Sequence, residues 1–362
     1  MKIKDFCTFA PKSKIKAGQA IKDGQYMFFT SSKDENKRYI DYLYDGEGII
    51  MGTGGNATLH YYKGKYAVST DCVVLNPDER IRCKYLYYFF LANMAILEAG
   101  FKGAGLKHTN RKYIENIVVS KLPMFDEQDS VIKILDKISD IIRFRNLELK
   151  VFDNLIKARF VEMFGDPVSN PYGWKKAKLS ELADIKIGPF GSVLHKNDYI
   201  ENGHPVINPA HIIDGRVVPD YKLTISEEKY RELNSYQLEK GDVVLGRRGE
   251  MGRCAVILKD QMLCGTGSLF IRSKGEVSPD FLQKIISYPT FKLKIEDMSV
   301  GVTMQNLNVP IVSNFEIIVP PKEIQKSYYS LVSQVNKSKV AIQKSLDETQ
   351  LLFDSLMQKY FK

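Results

Sequence analysis

The chain has 362 residues, 44% of them hydrophobic, enough to bury the cores of two ordinary domains plus connectors. It carries 52 Lys+Arg against 43 Asp+Glu, a net charge of +9, and 20 Tyr, a composition that favours a polyanionic partner. No run of 18 apolar residues occurs, the start MKIKDFCTFAPKSK has no apolar leader core, and the five cysteines and five histidines show no CxxC, HxxxH or HExxH spacing. This argues against membrane spanning, secretion, a disulfide framework and a zinc site, and for the cytoplasm.

Residues 1–122 read as short β-like runs and turns. The turn Asp45-Gly46-Glu47-Gly48 precedes Ile49-Ile50-Met51, and Gly52-Thr53-Gly54-Gly55-Asn56 follows it. Tyr66-Ala67-Val68 and Cys72-Val73-Val74-Leu75 are strand-like, and Lys84 to Leu97 (KYLYYFFLANMAIL) predicts a buried helix. A basic glycine loop, Gly100 to Arg111, leads to strand-like Ile117-Val118-Val119.

Residues 123–164 predict a long helix. Pro123 closes the β-rich part, and Asp126-Glu127 place acid in the first turn. Val131, Leu135, Ile138, Ile142, Arg145, Leu149, Phe152 and Ile156 then alternate at steps of four and three, a heptad seam. The 33 residues from Gln128 to Phe160 make a rod of roughly 50 Å, which needs a partner helix. Residues 320–362 supply it, with Leu331, Val335, Ile342, Leu346, Phe353, Leu356 and Tyr360 on one stripe. Arg145 and Lys339 are expected to be ion-paired or to lie along the surface, with no DNA role.

The two helices are copies. Pro123-xxxx-Gln128 matches Pro320-xxxx-Gln325 at an offset of 197, and Val151 to Ile156 matches Leu352 to Met357 at 201, so the second helix is expected to be four residues longer. The segment 165–319 opens on a linker, Gly165-Asp166-Pro167-Val168-Ser169-Asn170-Pro171-Tyr172-Gly173, and then repeats the first plan. Lys178 to Leu182 answers Lys2 to Phe6, and Lys240 to Gly246 answers Glu47 to Gly52. Cys264-Gly265-Thr266-Gly267 answers Val68-Ser69-Thr70-Asp71, and Val300 to Leu307 answers the 103–111 loop. Residues between these positions share no pattern. The fold class is therefore α+β: two β-rich domains separated by two long antiparallel helices that form a coiled coil, with a pseudo-twofold internal repeat.

Catalytic signals are few. Gly52-Thr53-Gly54-Gly55 completes neither GxxxxGK[ST] nor GxGxxG. Asn170-Pro171-Tyr172 lacks the second proline of the Asn-Pro-Pro-Tyr of adenine methyltransferases, and no nuclease or Ser/His/Asp pattern is placed by a motif. The better constellation reads DNA. Arg247, Arg248 and Arg253 lie in a glycine loop after a strand, where Arg forks match guanine or phosphate and glycine admits close backbone approach. The candidates around the corresponding loops are Thr53, Asn56, Lys107, His108, Asn110 and Arg111 in the first half, and Thr303, Gln305 and Asn306 in the second, whose amides match adenine.

This order of motifs resembles the specificity subunit of a type I restriction–modification system. The likeness rests on Gly241-Asp242-Val243-Val244-Leu245 with Arg247, Gly265-Thr266-Gly267-Ser268, Thr303-x-Gln305-Asn306-Leu307 and Pro320-Pro321-x-Glu323-x-Gln325. In the first half it rests on Gly52-Thr53-Gly54-Gly55, Ser69-Thr70-Asp71-Cys72 and Pro123-x-x-x-Glu127-Gln128, and Gly173-Trp174 matches the usual entry to a target recognition domain. The resemblance implies two target recognition domains, 1–122 and 165–319, each reading half of a bipartite site in double-stranded DNA, with the helix pair setting the spacer. It implies no catalysis in this chain. Two methyltransferase (modification) subunits would hold S-adenosylmethionine, and restriction/translocase subunits would use ATP and Mg. The first half departs from the pattern by starting at Met1-Lys2-Ile3 without a counterpart of Tyr172-Gly173-Trp174, so either the native start is short or upstream residues are missing. Two other readings predict different behaviour. A stand-alone DNA methyltransferase or nuclease with its own recognition domain would use S-adenosylmethionine itself, and a coiled-coil adaptor would have no affinity for duplex DNA.

Overall fold

The computed structural model describes residues 1–103, 105–119, 122–190, 193–299 and 306–362. Two compact units are present, one formed by Met1–Leu149 with Val340–Lys362 and the other by Lys150–Lys339. The division falls inside both long helices, Phe125–Phe164 and Lys322–Phe361, so each unit takes part of each helix into its own core. Both helices have 40 residues. The second is not longer, contrary to the expectation from its repeat offsets. Its four extra residues lie within it, and it ends at Phe361, the counterpart of Phe160 at an offset of 201.

The heptad reading describes the burial. Between Ile141 and Ile156 the only residues not exposed are Ile142, Arg145, Leu149, Phe152 and Ile156, all on the seam. In the second unit, Lys339 Nζ meets Asp153 Oδ1 at 2.5 Å, and the Tyr328 ring packs on Phe160 and Phe164 at 5.6 and 5.4 Å. As the first helix advances from Asp153 to Phe164 the second retreats from Lys339 to Tyr328, so the pairing is antiparallel. In the first unit Val131, Leu135 and Ile138 share a core with Phe353 and Met357. Arg145 pairs with Glu148 at 2.9 Å, so Arg145 on the seam and Lys339 beside the second stripe are both ion-paired.

The first unit is built on a six-stranded sheet in the order Cys7–Phe9, Cys72–Pro77, Tyr44–Gly52, Leu59–Val68, Tyr26–Phe29, Arg38–Tyr39. All neighbours are antiparallel except Leu59–Val68 with Tyr26–Phe29. The helix Cys83–Ala92 buries Tyr85, Leu86, Tyr88, Phe89 and Phe90 in the core that also holds Ile49, Met51 and Leu75. The helix predicted through Leu97 breaks at Asn93, whose φ of −121° and ψ of 38° are not helical. The Asn93 side chain donates to the Phe89 carbonyl, and Met94–Glu98 forms a separate helix.

The second unit repeats this frame with one break. Its four-stranded sheet runs Cys254–Val256, Val243–Gly246, Ser268–Ser273, Ala183–Ile187, all antiparallel. A five-stranded sheet runs Gln237–Leu238, Met262–Cys264, His204–Ile207, Thr224–Ile225, Tyr199–Ile200. The ten-residue strand Leu59–Val68 is thus answered by two short strands, Cys254–Val256 and Met262–Cys264. The parallel pairing of Phe29 with Val68 is answered by that of Ile207 with Cys264.

Hydrogen bonds at the helix heads repeat as well. Gln128 and Gln325 are 0% and 3% exposed. Gln128 Oε1 accepts from the Arg82 amide (2.8 Å) and its Nε2 donates to the Pro123 carbonyl (2.9 Å). Gln325 Oε1 accepts from the Ser278 amide (3.1 Å), and its Nε2 donates to the carbonyls of Pro320 (2.9 Å) and Glu276 (3.3 Å). Arg82 and Ser278 are the N-caps of the core helices Cys83–Ala92 and Pro279–Ile286. Each glutamine therefore ties the N-cap amide of a sheet-covering helix, a donor that a helix start leaves without a partner, to the carbonyl of the proline ahead of a long helix.

Candidate nucleic-acid interface

In the first unit the strand Tyr44–Gly52 delivers a glycine turn against the 102–111 loop. The Thr109 amide donates to the Thr53 carbonyl (3.0 Å), the Gly55 amide to the Lys107 carbonyl (2.8 Å), and Lys102 and His108 exchange both backbone hydrogen bonds. A Cβ on Gly54 would lie 3.2 Å from the exposed His108 ring, so the two segments approach closely here. Thr53 is anchored from the other side, its amide and hydroxyl donating to the Asp71 carbonyl at 2.7 and 2.9 Å. Asn110 caps the short helix Arg111–Glu115, its Oδ1 accepting from the Tyr113 amide. Arg111 lies over the Phe9 ring at 4.4 Å and pairs with Glu115 at 2.8 Å. Asn56, Lys107, His108, Asn110 and Arg111 are exposed around this turn. The structure thus gathers all six residues named for the first half, beside a cleft of about 490 Å³ lined in part by Phe9, Thr53, Asn110 and Arg111.

The second unit holds its loop with the same main-chain bonds. The Leu307 amide donates to the Arg247 carbonyl (2.9 Å), and the Arg247 amide donates to the Gly267 carbonyl (3.0 Å). Arg247 is therefore the positional twin of Thr53, as Leu307 is of Thr109 and Gly267 of Asp71. Its side chain does not present a fork to solvent. It is 7% exposed, Nε donates to the Leu307 carbonyl (2.8 Å) and Nη1 to the Thr266 carbonyl (3.3 Å). Burial, and next the charge of Arg248, hold its pKa below the ordinary arginine value. Arg247, expected to offer its fork to guanine or phosphate, instead uses Nε and Nη1 to tie the strand end to both neighbouring loops.

Arg253 is also occupied. It pairs with Glu250 at 3.0 Å, and Lys292 holds the other oxygen of that carboxylate at 2.7 Å. Arg248 is exposed and makes no ion pair among the described residues. Asn306 is half-buried, with Oδ1 lacking a hydrogen-bond partner among the described residues. Thr303 and Gln305 lie outside the described residues. Asn308 caps the helix Val309–Ser313 as Asn110 caps its counterpart.

A family model described as the type I restriction modification DNA specificity domain matches residues 1–151 and 171–349. The chain belongs to this family. It is 24% identical over 315 residues to the type I restriction enzyme MjaVIII specificity subunit of Methanocaldococcus jannaschii, which covers 82% of this chain and 73% of that protein. It is 20% identical over 343 residues to the EcoBI specificity subunit of Escherichia coli, covering 86% and 71%. Among solved structures, the S subunit of a type I restriction–modification system from M. genitalium superposes with a TM-score of 0.67 at 14% identity, over 100% of this chain and 95% of that one. A second, from a study of complex assembly and conformational transition in the type I system, gives 0.58 at 17% identity, over 100% and 97%. At these identities the structural likeness speaks to the fold.

For a DNA specificity domain, the division of labour among Arg247, Arg248 and Arg253 is the part that sequence missed. A glycine-flanked arginine triplet reads as three equivalent forks. A signal for Arg247 was present all the same: it stands one residue after the repeated strand-end glycine, where Thr53 stands after Gly52.

Proposed function

We propose that this chain is the DNA-reading, non-catalytic subunit of a type I restriction–modification complex. Each unit recognises one half of a bipartite site in double-stranded DNA, and the helix pair sets the spacer between the halves. Two methyltransferase subunits bring S-adenosylmethionine, restriction/translocase subunits bring ATP and Mg, and the assembly works in the cytoplasm. No described helix is long and apolar enough to cross a membrane.

The observation that carries this reading is one main-chain frame holding two unlike sets of loop residues. Thr53 with Asn56, Lys107 and His108 stands in one unit, and Arg247 with Arg248 stands in the other, on equivalent hydrogen bonds. Phosphate contacts position a reader and side chains on base edges specify, so a repeated frame with divergent side chains suits two different half-sites. The experiment is to express the chain with its methyltransferase subunits and map methylated adenines by single-molecule sequencing. A two-part motif with a fixed gap, lost when this chain is omitted, is the expected result. A continuous motif, or methylation by this chain alone, overturns the reading.

A further inference from the structure

Phe190 is 59% exposed, yet the backbone that carries it is held on both sides. It follows the strand Ala183–Ile187 and the buried Gly188 and Pro189. The Gly188 amide donates to the Ser268 carbonyl (3.1 Å), and a Cβ on Gly188 would collide with the Gly265 carbonyl, so this end is pinned to the framework turn. On the other side the Phe190 carbonyl accepts from the amides of Val193 (2.8 Å) and Leu194 (3.2 Å). Leu194 is 6% exposed, in a core with Val206, Ile225, Leu233 and Leu263. Single exposed apolar side chains are common and carry little by themselves. This one differs in its setting. The buried Arg247 guanidinium lies 6.0 Å from the ring centroid, and the next residue, Arg248, is exposed without an ion pair among the described residues.

An exposed aromatic ring on a pinned backbone, with one guanidinium behind it and, on the residue after that arginine, another without an ion pair among the described residues, suits a polyanion whose monomers present flat π-faces. We propose that Phe190 is a DNA-contacting residue of the second unit. Its ring stacks on a base of the half-site, Arg247 supports it from behind, and Arg248 faces the phosphate backbone or a base edge alongside. This rests on the DNA-reading role proposed above. It adds a contact that is apolar, so its loss lowers affinity without changing the number of phosphates neutralised.

The test uses the complex assembled with its methyltransferase subunits and a duplex carrying the mapped site, with 2-aminopurine placed in turn at each position of the half-site read by the second unit. The unaltered complex is expected to change the fluorescence at one step. Phe190→Ala is expected to abolish that change and weaken binding about 10-fold, the scale of one lost base stack, with the slope of log affinity against log salt unchanged. Phe190→Trp is expected to retain both. Phe190→Leu, which keeps an apolar side chain on the turn, should behave as the alanine variant does and stands in for it if that variant folds poorly. Wild-type affinity and fluorescence in Phe190→Ala or Phe190→Leu overturn the proposal and leave the DNA-reading role intact. Absence of site-specific binding by the unaltered complex overturns that role, and this proposal with it.

Discussion

Replacing Gln128 by leucine keeps the side-chain volume and removes both of its hydrogen bonds. The Arg82 amide and the Pro123 carbonyl then lose the partners they hold at 2.8 and 2.9 Å. A buried polar group left unsatisfied costs about 1–3 kcal/mol, and the exposed flank at Arg82 admits some water, so the pair together should cost about 2–3 kcal/mol. Amides of Cys83–Ala92 that exchange through opening of the first unit should then exchange roughly 30- to 150-fold faster, at 1.4 kcal/mol per factor of ten. Hydrogen exchange read by mass spectrometry suits this better than one melting curve, because a two-unit chain need not unfold in one step. Gln325→Leu should do the same to Pro279–Ile286 in the second unit and leave Cys83–Ala92 alone. Wild-type exchange of Cys83–Ala92 in Gln128→Leu refutes the claim that this side chain ties the two helices together.

Arg248→Ala should weaken the assembled complex on every duplex and reduce the salt slope by about one if the side chain meets phosphate. If it meets a base, discrimination at one position should fall by about 1–3 kcal/mol, and a salt-titrated binding assay separates the cases. Arg272 clasps Asp242, which is 1% exposed, with bonds of 2.8 and 2.7 Å, so Arg272→Met should destabilise the second unit by about 3 kcal/mol, with Asp242→Leu in addition restoring much of it in urea titrations. Burial pushes the thiols of Cys7, Cys83 and Cys254 up to about 12 and that of Cys72 up to about 11, from 9.0. Groups whose pKa rises on folding lend stability in full below pH 9.0, and that stability is lost as pH climbs toward 11–12, so the unfolding midpoint should fall across that range and thiol reagents should react at pH 8 only after unfolding. Deleting one heptad from each long helix should change the spacer of the methylated motif and leave its two halves unaltered.

The repeat was legible in the sequence because it is carried by residues whose chemistry is unusual where they stand. A glutamine five residues after a helix-opening proline, and a glycine closing a buried strand, have few reasons to recur. The seam was legible because period alone selects the buried face. Three things were not legible. The burial of Arg247 depends on the carbonyls of Leu307 and Thr266, from segments distant in sequence, and composition marks it only as one more exposed cation. The five-stranded sheet of the second unit uses strands of two to four residues, too short for an alternation signal. The break at Asn93 lies in an unbroken apolar run, where pattern gives no boundary.

The bonds that seat the two candidate loops run from amide to carbonyl, Thr109 to Thr53 in one unit and Leu307 to Arg247 in the other. Every residue type except proline offers the same amide, and every residue the same carbonyl, so these main-chain bonds do not dictate the side chain, which then adds its own anchor: Thr53 to the Asp71 carbonyl, Arg247 to those of Leu307 and Thr266. A threonine and an arginine fill one socket without altering its walls. Mutation can therefore re-letter these loop positions while the main-chain bonds that hold them stay fixed.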